Sequence, residues 1–229
     1  MTSPLTRPAL EALTAAAADR VVMWQAIVRA SGARTFAEIG VYRGAFAEAL
    51  LDGCPGLETY YLVDPWRHLD DWNKPANRDD GAFERIHAEA LQRTEAHAAR
   101  RVVLRGRTVD VVGDIPDGSL DAIYVDGDHT LRGIVTDLVA LRPKLRPGGW
   151  IGGDDFRRSI WQHGPEFEPT LVFPVAVHVA EAMGVPVYAL PHRQFLIVDA
   201  PQDGHAFVDL AGGYDRLALG DHVRPRRKG

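Results

Sequence analysis

The sequence predicts an α/β fold in which a mostly parallel sheet is wound on both faces by helices. Short apolar runs alternate along the chain with stretches whose apolar residues recur at helical spacing. A glycine or an aspartate follows each run, which is typical of a strand that ends in a turn. Strands that alternate with helices imply right-handed crossovers and therefore a parallel sheet. The predicted strands are residues 35–39, 59–63, 102–104, 120–125 and 150–152.

Helical spacing and turn residues predict the remaining elements. A leading helix or helix pair covers about residues 8–30, and further helices cover 45–51, 129–142 and 173–183. The segments 186–190 and 194–198 form a closing antiparallel hairpin, and no pattern follows residue 201. We therefore expect one domain over residues 1–229, made of a leading helical segment (1–33), an α/β core (34–200) and a tail (201–229).

Composition restricts the classes of function. Apolar residues make up 46% of the chain and charged residues 25%, which is ordinary globular composition. The net charge of −5, with 26 basic and 31 acidic residues, leaves no basic field for nucleic acid, and the basic cluster at residues 224–228 is interpreted as a solvated end. No apolar run is long enough to span a bilayer, and no signal peptide is evident. The lone cysteine, Cys54, excludes an intramolecular disulfide and favours a reducing compartment. We expect a cytoplasmic protein with a small-molecule partner, no nucleic-acid or membrane partner, and a homo-oligomer as an open possibility.

A glycine turn lies between the first predicted strand and the helix that follows. Glu38 precedes two glycines, Gly40 and Gly44, that are four residues apart. Glycines let a ligand approach the backbone closely, although such a turn also serves to pack a helix against a strand. Asp64 follows the second strand, where a carboxylate can accept hydrogen bonds from the two ribose hydroxyls of an adenosine cofactor. Its alternative role is to cap the following turn.

Further motifs follow at regular intervals: Asp-Pro-Trp at 64–66, Gly-x-Thr at 106–108, Tyr-Val-Asp-Gly-Asp-His at 124–129, Leu-x-Pro-Gly-Gly at 145–149 and Gly-Asp-Asp at 153–155. Together with the glycine turn they resemble the class I S-adenosylmethionine-dependent methyltransferases, which have a Rossmann-like fold. The similarity covers about residues 35–156. More narrowly, the motifs resemble the metal-dependent O-methyltransferases of the macrocin and novobiocin type and, more distantly, the catechol type.

The resemblance implies a set of cofactor contacts. Gly40, Tyr42 and Gly44 would wrap the methionine end of the cofactor, Asp64 would hold the ribose, and Arg107 with Thr108 would lie near the adenine. The predicted cofactor-binding residues are Glu38, Gly40, Tyr42, Gly44, Asp64, Trp66, Arg107, Thr108 and Asp126. The third glycine of dinucleotide-binding turns is absent, and Glu38 would repel a diphosphate. Both features favour a cationic sulfonium ligand over a nicotinamide dinucleotide.

Three aspartates, Asp126, Asp154 and Asp155, follow neighbouring predicted strands and should converge at one edge of the sheet. Two carboxylates about 4 Å apart repel by roughly 4 kcal/mol at an effective dielectric near 20, so the cluster needs a neutralising partner. Three hard oxygens suit Mg²⁺ better than Mn²⁺ or Ca²⁺. The resemblance implies the same ligand set, whereas the alternative is that these acids cap turns and helix starts.

His129 lies three residues beyond Asp126, at the start of a predicted helix. Methyl transfer is an in-line displacement at a sulfonium carbon, so the protein must position the nucleophile and remove its proton. A metal ion bound to the substrate hydroxyl would lower the pKa of that hydroxyl, and a neutral imidazole could then accept the proton near neutral pH. The catechol type has its base at the matching position, and Asp128 is the competing candidate.

Two irregular loops, residues 65–80 and 156–169, follow strand ends on the ligand-binding side of the predicted sheet. We expect them to be mobile and to face substrate. They carry the aromatic side chains Trp66, Trp72, Trp161 and Phe167 and the imidazole of His163. The aromatic side chains are interpreted either as walls of an apolar pocket or as anchors of the loops.

The sequence therefore predicts a Mg²⁺-dependent O-methyltransferase of a hydroxylated small molecule, such as a secondary metabolite or sugar-like acceptor. The first alternative is a metal-independent methyltransferase acting on nitrogen, carbon or a carboxylate, in which Asp126 binds only the cofactor. A nicotinamide-dependent oxidoreductase and a non-catalytic cofactor-binding protein are further alternatives.

Overall fold

The computed structural model describes residues 5–214, so the basic cluster at 224–228 lies outside the described residues. The helices are α1 (Arg7–Ala15), α2 (Arg20–Ser31), α3 (Ala45–Gly53), α4 (Asp80–Arg93), α5 (Thr108–Val111), α6 (Leu131–Leu141) and α7 (Val172–Met183). The strands are β1 (Thr35–Ile39), β2 (Thr59–Asp64), β3 (Arg101–Arg105), β4 (Leu120–Val125), β5 (Leu145–Gly153), β6 (Val187–Leu190), β7 (Gln194–Val198) and β8 (Phe207–Asp209). None of the described helices is long and apolar enough to cross a membrane.

The strands form one sheet in the order β3-β2-β1-β4-β5-β7-β6-β8. Strands β1 to β5 pair in parallel, β7 is antiparallel to both β5 and β6, and β8 pairs in parallel with β6. The predicted α/β fold with a C-terminal antiparallel pair is confirmed. The strand order reverses between β1 and β4, and a doubly wound sheet binds ligands in the crevice beyond the carboxyl ends of such a pair.

Two hydrophobic cores cover the two faces of the sheet. Alternate residues of β1 face opposite sides, so that Phe36 joins one core while Ala37 and Ile39 join the other. The first core includes buried residues of α1 to α4, and the second includes buried residues of α6 and α7. Helices on both faces explain why the central strands β1 and β4 are almost entirely buried and mostly apolar.

Three predicted elements differ from the structure. The helix expected from residue 129 begins at Leu131, because the Thr130 side chain caps it by accepting from the Gly133 amide, and His129 therefore lies in the β4–α6 loop. The expected closing hairpin is internal to the sheet, since β7 lies between β5 and β6. The tail, for which no element was expected, contributes β8 at the edge.

Candidate active site

A cavity of about 630 Å³ opens beyond the carboxyl ends of β1, β2 and β4, at the reversal of strand order. Most of the predicted functional residues line it: Gly40, Tyr42, Asp64, Arg107, Thr108, Asp126, Asp128, His129 and Asp155. They come from the last residue of β2 and from the segments that follow β1, β3, β4 and β5. The tertiary fold thus brings the separate sequence motifs to one place.

The glycine turn is shaped by a close approach of two backbones. Gly40 has φ +88°, and a Cβ atom there would lie 2.2 Å from the carbonyl oxygen of Asp126. The Asp126 amide also donates to the Ile39 carbonyl oxygen at 2.7 Å. Only glycine fits at position 40, where the two backbones approach each other. Because glycine has no side chain, the backbone of the turn is exposed to the cavity.

Asp64 joins the glycine turn to the loop after β2. Its Oδ2 atom accepts from the Tyr42 amide at 2.9 Å, and its Oδ1 atom accepts from the Trp66 amide at 2.8 Å. Both donors lie on residues with positive φ, 52° at Tyr42 and 40° at Trp66, which non-glycine residues rarely adopt. Burial raises the pKa of Asp64 despite these hydrogen bonds. Asp64 lines the cavity, and its carboxylate retains lone-pair capacity for a ligand there.

Four predicted residues do not line the cavity: Glu38, Gly44, Trp66 and Asp154. Trp66 is fully buried against His87 and donates from Nε1 to the Tyr42 carbonyl oxygen at 2.8 Å, so it supports the turn from behind. Gly44 lets α3 approach α4, because a Cβ there would lie 3.0 Å from the Ala90 Cα.

Glu38 lies behind the glycine turn rather than at its surface. The side chain is buried, and its Oε2 atom accepts from the Tyr60 hydroxyl at 2.7 Å. Burial raises the pKa of Glu38 to about 8. The protonated, uncharged form of the carboxyl is therefore favoured at neutral pH, whereas the sequence analysis expected a charged Glu38 that repels a diphosphate.

His129 and Asp155 form a buried pair at the cavity wall. The Nδ1 atom of His129 lies 2.8 Å from Oδ2 of Asp155, so a carboxylate acceptor holds the proton on Nδ1. Burial lowers the pKa of His129, but the hydrogen bond to Asp155 and the neighbouring charges outweigh burial and raise it above its ordinary value. Its Nε2 atom, 3.5 Å from Oδ1 of Asp126, is buried and has no hydrogen-bond partner among the described residues.

The backbone of Asp155 contributes to this pairing. Asp155 has φ +55°, a left-handed conformation that costs on the order of 1–3 kcal/mol for a residue with a side chain. Its carboxylate also accepts from Arg157 Nε at 3.1 Å and from the Gln162 amide. Burial alone would raise the pKa of Asp155, but these donors and His129 lower it well below its usual range.

Asp128, the competing base, already has two donors. Its Oδ1 atom accepts from Trp72 Nε1 at 3.0 Å and from the Thr130 amide at 2.9 Å. It therefore ties the tryptophan of the first loop to the start of α6. Glycine at 133 makes room for it, since a Cβ there would lie 2.2 Å from the Asp128 carboxyl carbon.

The three predicted metal ligands are divided between different partners. Arg20 pairs with Asp154, and its Nη1 atom lies 3.8 Å from Oδ2 of Asp126, whereas Asp155 turns to His129. Burial, followed by the charge of Asp154, raises the pKa of Asp126 to about 7. Within residues 5–214 no three His, Cys, Asp or Glu side chains are arranged to hold a metal ion. In this arrangement the carboxylates do not fit Mg²⁺, because a guanidinium lies against two of them.

Two loops cover the cavity and are fastened to each other. Lys74 Nζ donates to the carbonyl oxygens of Glu168 and Pro169 at 2.7 and 3.3 Å and lies 3.3 Å from the Thr170 hydroxyl. Asn73 Nδ2 donates to the carbonyl oxygen of Glu166 at 2.8 Å. Trp72 and His163 line the cavity, whereas Trp161 and Phe167 do not. The loops thus form a joined cover in this structure.

Sequence reasoning missed three residues at or near the site: Arg20, Lys74 and Asp137. Asp137 lines the cavity, is 5% exposed and is hydrogen-bonded to Thr108; burial raises its pKa to about 7. The signal for Asp137 was present in the sequence, because it is an acid on the apolar face of α6 between Ile134 and Leu141. Local patterns carry no signal for Arg20, which precedes its partner Asp154 by 134 residues.

The family described as a methyltransferase domain matches residues 37–156, about half of the chain. The chain belongs to this methyltransferase family. A curated relative, the uncharacterized protein y4gI of Sinorhizobium fredii, is 26% identical over 165 residues, which cover 66% of this chain and 17% of the relative. The chain thus spans about a sixth of that relative's length.

Solved structures share the fold of this chain at low sequence identity. A protein provisionally identified as a caffeoyl-CoA O-methyltransferase from Staphylococcus aureus has a TM-score of 0.60 and 11% identity, covering 80% of this chain and 84% of that one. The O-methyltransferase TomG from Streptomyces achromogenes, solved with S-adenosylmethionine, has a TM-score of 0.53 and 16% identity, with coverages of 85% and 81%. An O-methyltransferase from Bacillus cereus, solved with S-adenosylhomocysteine, has a TM-score of 0.53 and 18% identity, with coverages of 84% and 80%. The predicted Rossmann-like methyltransferase fold is confirmed.

Proposed function

We propose that the protein transfers a methyl group from S-adenosylmethionine to an oxygen of a small hydroxylated acceptor, with His129 as the general base. The observation that carries the proposal is the buried Nε2 atom of His129, which has no hydrogen-bond partner among the described residues. Its ring is oriented by Asp155 through Nδ1, which leaves Nε2 as the proton acceptor. Membership of the methyltransferase family supports the reaction class.

The cavity suits the cofactor in shape and chemistry. Its volume of about 630 Å³ is in the range of small-molecule sites. The exposed backbone at Gly40 would lie along the methionine part, and the free lone pairs of Asp64 would accept from the ribose hydroxyls. Thr108 and Asp137 would line the adenine end of the cofactor.

The reaction forms a carbon–oxygen bond and breaks the carbon–sulfur bond of the sulfonium. The acceptor hydroxyl gives its proton to Nε2 of His129, and the products are a methyl ether and neutral S-adenosylhomocysteine. The protein's task is to hold the acceptor oxygen in line with the methyl carbon and the sulfur. The cover of residues 65–80 and 156–169 would exclude water from this alignment.

Magnesium dependence, expected from the sequence, is not part of the proposal, because Asp126 and Asp154 lie against Arg20 and Asp155 pairs with His129. We infer a small-molecule acceptor, since the charge of −5 does not suit nucleic acid. We also infer a cytosolic location, which the buried free thiol of Cys54 favours.

Two measurements test the function. Calorimetry should detect binding of S-adenosylhomocysteine and none of a nicotinamide dinucleotide. Incubation with S-adenosylmethionine carrying a deuterated methyl group and a panel of phenols, sugars and polyketide-type alcohols should yield a labelled ether by mass spectrometry. Binding of the dinucleotide alone would refute the methyltransferase assignment, and label found only on nitrogen, carbon or carboxylate would refute the hydroxyl acceptor.

A further inference from the structure

Arg20 occupies an unusual position for a residue of the leading helical segment. It is the first residue of α2, lies outside the region that matches the methyltransferase family, and reaches the carboxyl ends of β4 and β5. There it pairs with Asp154 and lies 3.8 Å from Asp126. These are two of the three carboxylates whose convergence predicted a divalent ion.

The position of α2 is fixed by Trp24, one turn beyond Arg20. The Trp24 ring stacks on Trp150 at a centroid distance of 5.4 Å. It fits over Gly152, where a Cβ would lie 2.2 Å from the ring. At the start of the helix the Asp19 side chain caps α2 by accepting from the Val22 amide at 2.9 Å. Because α2 is fixed by these contacts, Arg20 at its start is held close to the carboxyl ends of β4 and β5.

The same anchor fixes Asp154 through one fully buried glutamine. Gln194 Oε1 accepts from Trp24 Nε1 and from the Tyr124 hydroxyl, both at 2.8 Å. Its Nε2 atom then donates to Oδ1 of Asp154 at 2.6 Å. One oxygen of Asp154 thus belongs to the buried network and the other belongs to Arg20. The guanidinium also lies 5.8 Å from the centroid of the Phe46 ring.

We propose that Arg20 is the resident cation of this acidic cluster and takes the place of a divalent metal ion. Mg²⁺ requires oxygen ligands at about 2.0–2.1 Å in octahedral geometry, and an ion so placed between Asp126 and Asp154 would collide with and repel the guanidinium. Arginine stays charged at every physiological pH, so the Arg20 guanidinium remains a positively charged partner of Asp126 and Asp154. Arg20 is a positioning residue: it neutralises Asp126 and Asp154, and through Asp126 it sets the surroundings of Nε2 of His129.

This inference rests on the proposed function only for its rate measurement, because metal binding can be measured without turnover. Mn²⁺ alone is titrated into the protein and followed by electron paramagnetic resonance, for the wild type, Arg20→Met and the double variant Arg20→Met/Asp154→Asn. The wild type should bind no Mn²⁺ at the cluster. Arg20→Met should gain a Mn²⁺ site at the cluster, since a positive charge leaves the carboxylates, and the double variant should lose that site.

Controls separate this role from a structural one. Arg34→Met removes an exposed guanidinium that pairs with Glu58 away from the cluster, and it should gain no Mn²⁺ site. Arg20→Lys keeps the positive charge and should also gain none, so a Mn²⁺ site in a folded Arg20→Lys would overturn the inference even if Arg20→Met unfolds. Binding of S-adenosylhomocysteine and the melting temperature report whether each variant is folded.

The rate measurement should follow the same pattern. Turnover of the wild type should be unchanged by EDTA, whereas Arg20→Met should lose rate and regain part of it with Mn²⁺ or Mg²⁺. Mn²⁺ binding to the wild type that Asp154→Asn abolishes would overturn the inference, as would a folded Arg20→Met that gains no site. A wild type that meets the metal prediction but transfers no methyl group would refute the proposed function and leave the inference on Arg20 intact.

Discussion

Replacing Asp137 with asparagine should stabilise the unliganded protein above neutral pH. Asp137 is 5% exposed as a residue, and its carboxyl accepts from Thr108 and has no ion-pair partner among the described residues. Burial therefore penalises its charged form and raises its pKa from 3.8 to about 7. Asparagine has nearly the same shape, can still accept from Thr108 and carries no charge.

The sign and size of the effect follow from linkage. Below pH 4 the folded and unfolded states both bind the proton, so the carboxyl imposes no penalty. As pH rises from about 4 to 7 the unfolded state ionises first, and stability is lost progressively until the folded carboxyl also ionises. A shift of about three units corresponds to roughly 4 kcal/mol at 1.36 kcal/mol per unit. Asp137→Asn should not lose this stability as the pH rises, because asparagine does not ionise.

Urea unfolding at pH 5 and at pH 8 measures the effect. The stability gained by Asp137→Asn should be about 3 kcal/mol larger at pH 8 than at pH 5. Asp70→Asn, in which the fully exposed side chain undergoes the same chemical change, should show no comparable gain. Other buried acids contribute equally to wild type and variant and cancel in the difference. A gain that is independent of pH, or a loss at pH 8, would refute a protonated Asp137.

Three further predictions concern the active site. His129→Ala should lower the rate of methyl transfer by about 10²–10⁴-fold while its affinity for S-adenosylhomocysteine stays unchanged. As a control, His178→Ala, which changes an exposed histidine, should transfer methyl groups at the wild-type rate. Equal rates for His129→Ala and the wild type would refute His129 as the general base. Asp64→Asn should weaken S-adenosylhomocysteine binding by about 10–100-fold in calorimetry, because hydrogen bonds to a charged acceptor contribute about 1.5–3 kcal/mol, and full affinity would leave Asp64 as a turn brace. Lys74→Met should speed hydrogen exchange in residues 65–80 and 156–169 while the melting temperature stays close to wild type, since its ammonium joins the two loops. Unchanged exchange would mean that the loops hold together without it.

Features that depend on neighbours along the chain could be predicted from the sequence. The bounds of β1 and β4 match the predicted strands, because an apolar run and the turn residue after it are local properties. The glycine turn and Asp64 were placed correctly at the ends of β1 and β2 for the same reason. The convergence of these motifs at one edge also followed from the sequence, since parallel strands present all their carboxyl ends on the same side.

Only the tertiary structure decided how the charges at that edge are paired. Glu38 and Trp66 belong to motifs that predicted cofactor contact, yet packing against Tyr60 and His87 places both behind the cavity. Asp154 and Asp155 are adjacent in sequence but face different partners, because the left-handed backbone at Asp155 turns it toward His129 while Asp154 faces Arg20. Arg20 reaches Asp154 only because Trp24 packs over Gly152 and directs α2 to the strand ends. Pairing between side chains so distant in sequence depends on packing, which a local pattern of residues does not encode.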